Sequence, residues 1–524
     1  MSQSASTTSA TPLTDRERLL QNRWLILVAG IVCMVAVANY QYAWTFFVAP
    51  INKRLGGDAS LVPFIQITFT VFVLLETWLV PFEGWLVDRF GPRNIVLVGG
   101  VLAGIGWILS AQATSLTALY LSYSLCGIGA GAVYGTSVGS ALKWFPDHRG
   151  LAAGLTAAGF GAGSALTVAP ITNQIAAGGY ESAFVSWGLI QGVVVVLASF
   201  LLRAPPPGWL PRTWTLEARA AETKRRQTAL DFGPGEMAKT PQFWLLYLMM
   251  TMVATGGLMA TAQLVPMATA FGVASVSVPF LWVTLSAAQW AASVDRVVNG
   301  FTRPFWGWIS DRIGRERTMT LAFGLEALAI VLLLQTVGNP ILFVLMTAFT
   351  FFGWGEIYSL FPATAGDFFG RKFATANYGF LYTAKGTASV FVPIGSALAA
   401  GTAFDFGADA LLVVGGIILL YAIFIAPTVL HQQLSRGAQT VLYAVGGAII
   451  LGGLALTVFP GAATPLRMVV PNVGWSGVFS VAIVFDLIAA GLAYFVLRRV
   501  PIPAGGQRPT VGVARAAAPA TGGE

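Results

Sequence analysis

The chain has 524 residues, of which 56% are hydrophobic and only 10% charged, and its mean hydropathy is +0.72. Soluble proteins carry about 25% charged residues, so this composition excludes an ordinary soluble domain and implies a chain embedded in lipid. The net charge of +8 does not imply a nucleic-acid partner, because the basic residues sit in short loops between apolar segments and form no continuous patch.

The N-terminal tail, residues 1–23, lacks the short apolar core and cleavage site of a signal peptide and reads as a retained segment. Trp24 opens the first predicted span, and windows of about 19 residues place the first six near 24–48, 62–83, 94–113, 117–141, 150–172 and 183–203. Residues 204–241 carry Pro205-Pro206-Pro207 and a charged run from Glu217 to Arg226, and read as a cytoplasmic linker between halves. The second half, 242–499, holds spans near 243–269, 279–309, 318–337, 341–364, 376–402 and 476–497. Two extra apolar segments, near 409–430 and 439–460, are inserted before the last span, and the Pro-, Ala- and Gly-rich tail at 500–524 reads as disordered. The expected fold is an all-α membrane protein of about 14 spans, two halves of six plus the inserted pair.

With the N-terminus inside, only Lys53, Arg54 and Arg467 lie outside, and Arg296, Arg303 and Lys385 lie within spans. Every other basic residue is then cytoplasmic, so both termini are expected there. Cys33 and Cys126 each fall inside a span, which argues against a disulfide framework.

Two cytoplasmic loops repeat one pattern. GWLVDRFGPR (84–93) recurs as GWISDRIGRER (307–317), each after the second span of its half. The shared frame is G-W-x-x-D-R-x-G followed by an arginine, two residues on at Arg93 and one residue on at Arg315. Gly84, Asp88, Arg89, Gly91 and Arg93 thus correspond to Gly307, Asp311, Arg312, Gly314 and Arg315. Glycine permits a tight turn between packed helices, and the acid can face a helix N-terminus, so these loops are candidate gating latches between the halves. This pair resembles the signature loop of the major facilitator superfamily, whose members rock two six-helix halves about a midplane site.

Lys385 lies near the middle of residues 374–401, which carry no other charge. An ammonium at the bilayer centre costs at least about 2.5–3.5 kcal/mol, so the default reading is a binding or ion-coupling group facing a polar cavity. Tyr378, Tyr382 and Lys385 share one helix face, as do Trp354 and Tyr358. An aromatic face with one cation suits a small planar anion, although rings at helical spacing also serve ordinary packing.

Longer segments resemble one subfamily, the oxalate/formate antiporters. They are Gln41-Tyr42-Ala43-Trp44-Thr45, VYG (133–135) leading to KWFPDHRGLAAGLTAAGFG, GEMAKTPQFW, NGFTRPFWGWISDRIGR, FFGWGEIYSLFP and NYGFLYTAKGTAS. The resemblance implies that Arg303 and Lys385 hold a small carboxylate. It also implies that Tyr42, Tyr134, Trp354, Tyr358 and Tyr382 line the site, with Gln41 and Gln66 as polar neighbours. From its position alone, about two turns from a loop, Arg303 could equally snorkel to the interface.

Three features depart from the subfamily. Asp295 and Arg296 stand where uncharged polar residues are usual, and Arg296 lies on the Arg303 face. Glu356 points about 160° away from Trp354 and Tyr358, toward a neighbouring helix, and needs a cation or a proton there. It is either a structural ion-pair partner, with Arg296 as a candidate, or a protonation switch; Glu76 poses the same question. The inserted pair is the third departure.

The expected activity is carboxylate transport, oxalate/formate exchange first and proton-coupled monocarboxylate symport of the lactate or pyruvate kind second. A transporter-fold sensor is a distant third. An enzyme is not expected, because His148 and His431 stand apart and the cysteines are isolated, leaving no metal or nucleophile cluster. No cofactor or nucleic acid is expected. The partners are small carboxylates and lipid, and the chain is expected to work as a monomer in a bacterial inner membrane.

Overall fold

In the computed structural model the described residues are 22–145, 149–206, 230–280, 282–370, 373–402 and 472–503, with a few isolated positions. The predicted inserted pair at 409–460, most of the linker, and the outer parts of both tails lie outside them.

Caps and prolines set the helix boundaries. The Asn22 side chain accepts from the Trp24 amide at 3.1 Å and starts α1 (Arg23–Tyr42). It is followed by α2 (Trp44–Arg54), α3 (Val62–Trp78), α4 (Val80–Phe90) and α5 (Pro92–Ser110). Ser115 caps α6 (Leu116–Trp144), and α7 (Arg149–Ala162) and α8 (Val168–Ser199), which is two helices joined across a kink at Gly179, complete the first half. Thr240 caps α9 (Pro241–Ala270), which leads to α10 (Ala287–Ile313), α11 (Arg315–Thr336) and α12 (Pro340–Trp354). The rest of the half is α13 (Ile357–Phe369), α14 (Ala374–Ser389), α15 (Phe391–Ala400) and α16 (Gly474–Gly491), which runs on as a π-turn to Leu497. Among the described residues, nine helical stretches are long and apolar enough to cross a membrane.

Two corrections apply to the predicted elements. The span expected at 279–309 begins eight residues late, at Ala287. Ahead of it, Ser277–Phe280 pairs antiparallel with Val283–Ser286, so the regular structure among the described residues is helical apart from this hairpin. β-Branched residues in VSVPFLWVTLS favour strand at this point, and a hydropathy window cannot tell an apolar strand from an apolar helix. The second correction is that several spans are broken. α1 gives way to α2 at Ala43, α3 to α4 at Leu79, α7 to α8 over 163–167, α12 to α13 at Gly355–Glu356, and α14 to α15 at Val390. Pro81 and Pro393 lie just past two of these breaks, where a missing N–H removes a helical hydrogen bond.

The halves meet along two seams, α7 against α10 and α3 against α14 and α15. Trp78 Nε1 donates to the Thr383 carbonyl at 3.1 Å, and Thr70 Oγ1 donates to the Ser389 carbonyl at 2.7 Å. The linker's end docks on the second half, where the Phe232 amide donates to the Phe369 carbonyl at 2.9 Å. The breaks fall within a few residues of a buried polar or aromatic side chain, and that places the candidate site.

Candidate functional site

The centre between the halves is closed, with Arg303 1% exposed and Lys385 fully buried. Two surface hollows, of about 340 and 290 Å³, lie by Arg317 and Tyr494 and by the 310–316 loop; neither reaches these cations.

Lys385 is not free. Its Nζ contacts both carboxylate oxygens of Glu76, at 2.8 and 3.0 Å, and donates to Gln41 Oε1 at 2.8 Å and Tyr382 OH at 3.2 Å. Glu76, on α3, belongs to the first half and Lys385, on α14, to the second, so the pair is a bond between halves. The bond completes itself without a ligand. Sequence flagged Glu76 as a lone acid in an apolar span but gave no partner.

Arg303 does not snorkel. Its Nη1 donates to the Ala157 carbonyl at 2.6 Å, while Nε and Nη2 have no hydrogen-bond partner among the described residues. The guanidinium lies 4.2 Å from the Tyr358 ring centroid, with Tyr42, Tyr134 and Tyr382 in electrostatic range. Gly161 stands beside it, since a Cβ there would lie 3.0 Å from Nε. One edge of the fork, two N–H groups in the geometry that grips a carboxylate, is therefore left open.

The aromatic residues form a continuous wall. Tyr134 stacks on Tyr382 at 5.1 Å with 9° between planes, and Tyr382 meets Tyr358 and Tyr378. Trp354 stands edge-on to Tyr358 at 5.3 Å, against the bare backbone of Gly257. Phe160, which sequence did not single out, joins Tyr42 to Tyr134 at 5.3 Å each and lies 5.5 Å from the Lys385 ammonium. Phenylalanine carries no polar signal, so only its place in the fold reveals it.

Arg296 is spoken for. Its Nε lies 2.8 Å from Asp295 Oδ1, its Nη2 donates to Oδ2 at 3.0 Å, and its guanidinium is sandwiched between Tyr42 and Phe351 at 4.1 and 4.2 Å. Arg296, the candidate partner for Glu356 in an ion pair, is thus paired with Asp295 instead. Glu356 has no hydrogen-bond partner among the described residues and lies within electrostatic range of Asp486. Gln66 also sits apart, accepting from Trp44 Nε1 at 2.9 Å and donating to Gln263 Oε1 and the Ala262 carbonyl at 3.2 Å each.

At the repeated loops, Gly91 and Gly314 end α4 and α10 with φ of 79° and 96°. Arg315 binds Asp311 at 2.9 Å and Asp367 at 3.1 Å, and also Ser310, all in its own half. Arg93 lies over Phe200, 4.4 Å from its ring centroid, and Arg312 over Trp308 at 3.4 Å. The Asp88 side chain lies outside the described residues. The Arg315 contacts thus tie α10, α11 and α13 together within one half rather than latching two.

Chemically, the centre offers one open guanidinium edge, one ammonium held by an internal carboxylate, and an aromatic wall. That arrangement suits a small anion. The family model described as Major Facilitator Superfamily matches residues 29–288 and 267–441. An oxalate:formate antiporter of Oxalobacter formigenes is 36% identical over 417 residues, 79% of this chain and 93% of that protein. Monocarboxylate transporter 11 of Homo sapiens is 34% identical over 129 residues, 24% of this chain and 27% of its own. Among solved structures, a bacterial homologue of the human lysosomal transporter Spinster, inward-facing and occupied, superposes with a TM-score of 0.57 at 17% identity. It covers 91% of this chain and 97% of its own, and supports the fold alone. On this evidence the chain belongs to the major facilitator superfamily and, within it, to the oxalate/formate antiporter family.

Proposed function

We propose that the protein exchanges small carboxylates across a bacterial inner membrane by alternating access, in the oxalate/formate manner. Both termini are then cytoplasmic, and the inserted pair brings the spans to about 14. The observation that carries the reading is the open Nε/Nη2 edge of Arg303, buried between the halves and walled by tyrosines. A carboxylate set against that edge receives two parallel N–H bonds, while the rings exclude water and keep the attraction strong. Lys385 supplies a second positive charge for the other end of a dicarboxylate once Glu76 lets it go. Gln41 and Tyr382 steady the lysine, and the repeated loops set the packing of the helix ends that move.

The test is counterflow of labelled oxalate and formate in proteoliposomes of the purified protein. Wild type accumulates label against a trapped unlabelled acid. Arg303→Lys keeps the charge but loses the fork, and its affinity falls with its folding intact. Transport by Arg303→Ala or Lys385→Ala at the wild-type rate would overturn the reading.

A further inference from the structure

α11 and the stretch from α16 through its π-turn are both long and apolar enough to cross a membrane, and the hollow of about 340 Å³ lies between them. Its walls are Thr320, Leu321, Gly324 and Leu325 of α11 and Tyr494 of the π-turn, with Arg317 one helical turn nearer the loop. Thr320 Oγ1 already donates to the Glu316 carbonyl at 2.8 Å, so the groove offers aliphatic and ring surface up to Arg317. Leu321, Leu328 and Phe495 are exposed here, and exposed apolar residues on spanning helices face lipid.

The sequence makes this groove. Arg317, Leu321 and Gly324 stand at i, i+4 and i+7, one face of α11. A Cβ on Gly324 would meet nothing within 4 Å, so no neighbouring helix demands this glycine; it is a notch in the lipid face. Glycine inside a helix costs about 1 kcal/mol relative to alanine, and no protein contact offsets that here. Opposite the notch, Leu492–Leu497 widens into a π-turn, a rare form that recurs at functional sites. From Arg317 to Leu325 the groove runs ~12 Å, against ~15 Å for the hydrocarbon depth of one leaflet. Those dimensions suit one acyl chain.

The charge at the loop end completes the site. Arg317 is exposed there, whereas its neighbours on the loop are engaged, Arg315 by Asp311 and Asp367 and Arg312 over Trp308. Arg498 adds positive charge 5.7 Å from the Tyr494 ring centroid, and Arg499 follows it. Glu316, the acid next to Arg317 in sequence, lines the other hollow, and its Oε2 lies 3.7 Å from where a Gly314 Cβ would stand. Basic residues at the membrane-surface end of an apolar groove match a headgroup of net negative charge, because a zwitterionic headgroup brings an ammonium of its own. We infer that this hollow binds an anionic phospholipid. Its phosphate sits at Arg317 and one acyl chain runs along Leu321, Gly324 and Leu325, so the lipid clamps the start of α11 to the end of α16. The inference holds whichever anion the protein carries.

The experiment reconstitutes the full chain in vesicles of phosphatidylethanolamine and phosphatidylglycerol in equal parts, extracts it in mild detergent and counts retained lipids by native mass spectrometry. Wild type is expected to keep phosphatidylglycerol in preference to phosphatidylethanolamine. Losing one basic residue at an anionic headgroup weakens binding roughly five-fold, so Arg317→Gln should lose that preference while the groove still accepts a chain. Arg317→Lys keeps the charge and should keep the preference. Gly324→Leu fills the notch and should lower the retained total by one lipid. Gel filtration establishes that each variant is monodisperse before it is scored; if Gly324→Leu is not, the wild type and the Arg317 pair decide. Equal retention of the two headgroups by wild type overturns the inference. An Arg317→Gln profile equal to wild type removes the headgroup contact and overturns it as well. A lipid count unchanged in Gly324→Leu also overturns it, because the preference is then general surface attraction, or another segment of the chain covers the groove.

Discussion

A charge inside a membrane needs a partner, an aromatic face or a ligand to take up its field, and the three buried cations use different combinations of these. Arg296 has a carboxylate and two rings, Lys385 a carboxylate from the other half, and Arg303 a ring, a carbonyl and an open edge. The acids divide in the same way. Asp295 answers a cation, whereas Glu356 lies with Glu326 and Asp486, three buried carboxylates without a hydrogen-bond partner among the described residues. No such grouping among the described residues is suited to hold a metal ion. The two acids should therefore respond oppositely to neutralisation. Asp295→Asn leaves the Arg296 guanidinium uncompensated and should destabilise the protein by about 3–5 kcal/mol, read as earlier unfolding in detergent. Glu356→Gln keeps the shape with no charge to bury, so stability and substrate preference should match wild type; a changed oxalate-to-formate ratio would return Glu356 to the site.

At the scale of the element, the helix ends are set by local chemistry, and the breaks lie beside the candidate site. Gly314 has φ 96° and ψ 155°, and Gly91 φ 79° and ψ 157°, a region open in practice only to glycine. These two turns aim α11 and α5 back into the membrane straight after α10 and α4. Gly314→Ala should cost about 1–3 kcal/mol through strain alone, and a melting curve indistinguishable from wild type would show that the turn relaxes. The broken spans carry the site. Gln41 and Tyr42 precede the break at Ala43, Glu76 precedes Leu79, and Trp354 precedes Gly355. Irregular backbone at membrane depth is tolerated where protein rather than lipid surrounds it, which is why breaks and buried polar groups coincide.

For the whole molecule, the proposed alternating access requires the packing along the two seams to part. At one, a Cβ on Gly300 would lie 2.7 Å from Ala162 Cβ; at the other, a Cβ on Gly386 would lie 2.4 Å from Thr77 Oγ1. Each seam closes because one helix offers no side chain at the crossing. Gly300→Leu should wedge α7 from α10 and abolish counterflow in a protein that remains monodisperse and folded. Counterflow at the wild-type rate would show that the closed seam is not a state the transport cycle visits.

Composition and hydropathy were enough to read a lipid-embedded chain and the outer limits of most spans, because lipid imposes length and apolarity on every span. The repeated loop and the matched segments marked Arg303, Lys385 and the tyrosines. The hairpin at 277–286 was not legible, since an apolar strand and an apolar helix look alike in a window. Nor were the pairings. Asp295 and Arg296 are neighbours in sequence and still looked unassigned, while Glu76 and Lys385 lie 309 positions apart. A lone charge in a span announces that it must be answered; which residue answers it is decided by the packing of helices from opposite halves. That packing brought a carboxylate of the protein's own to the lysine and left the arginine's edge open.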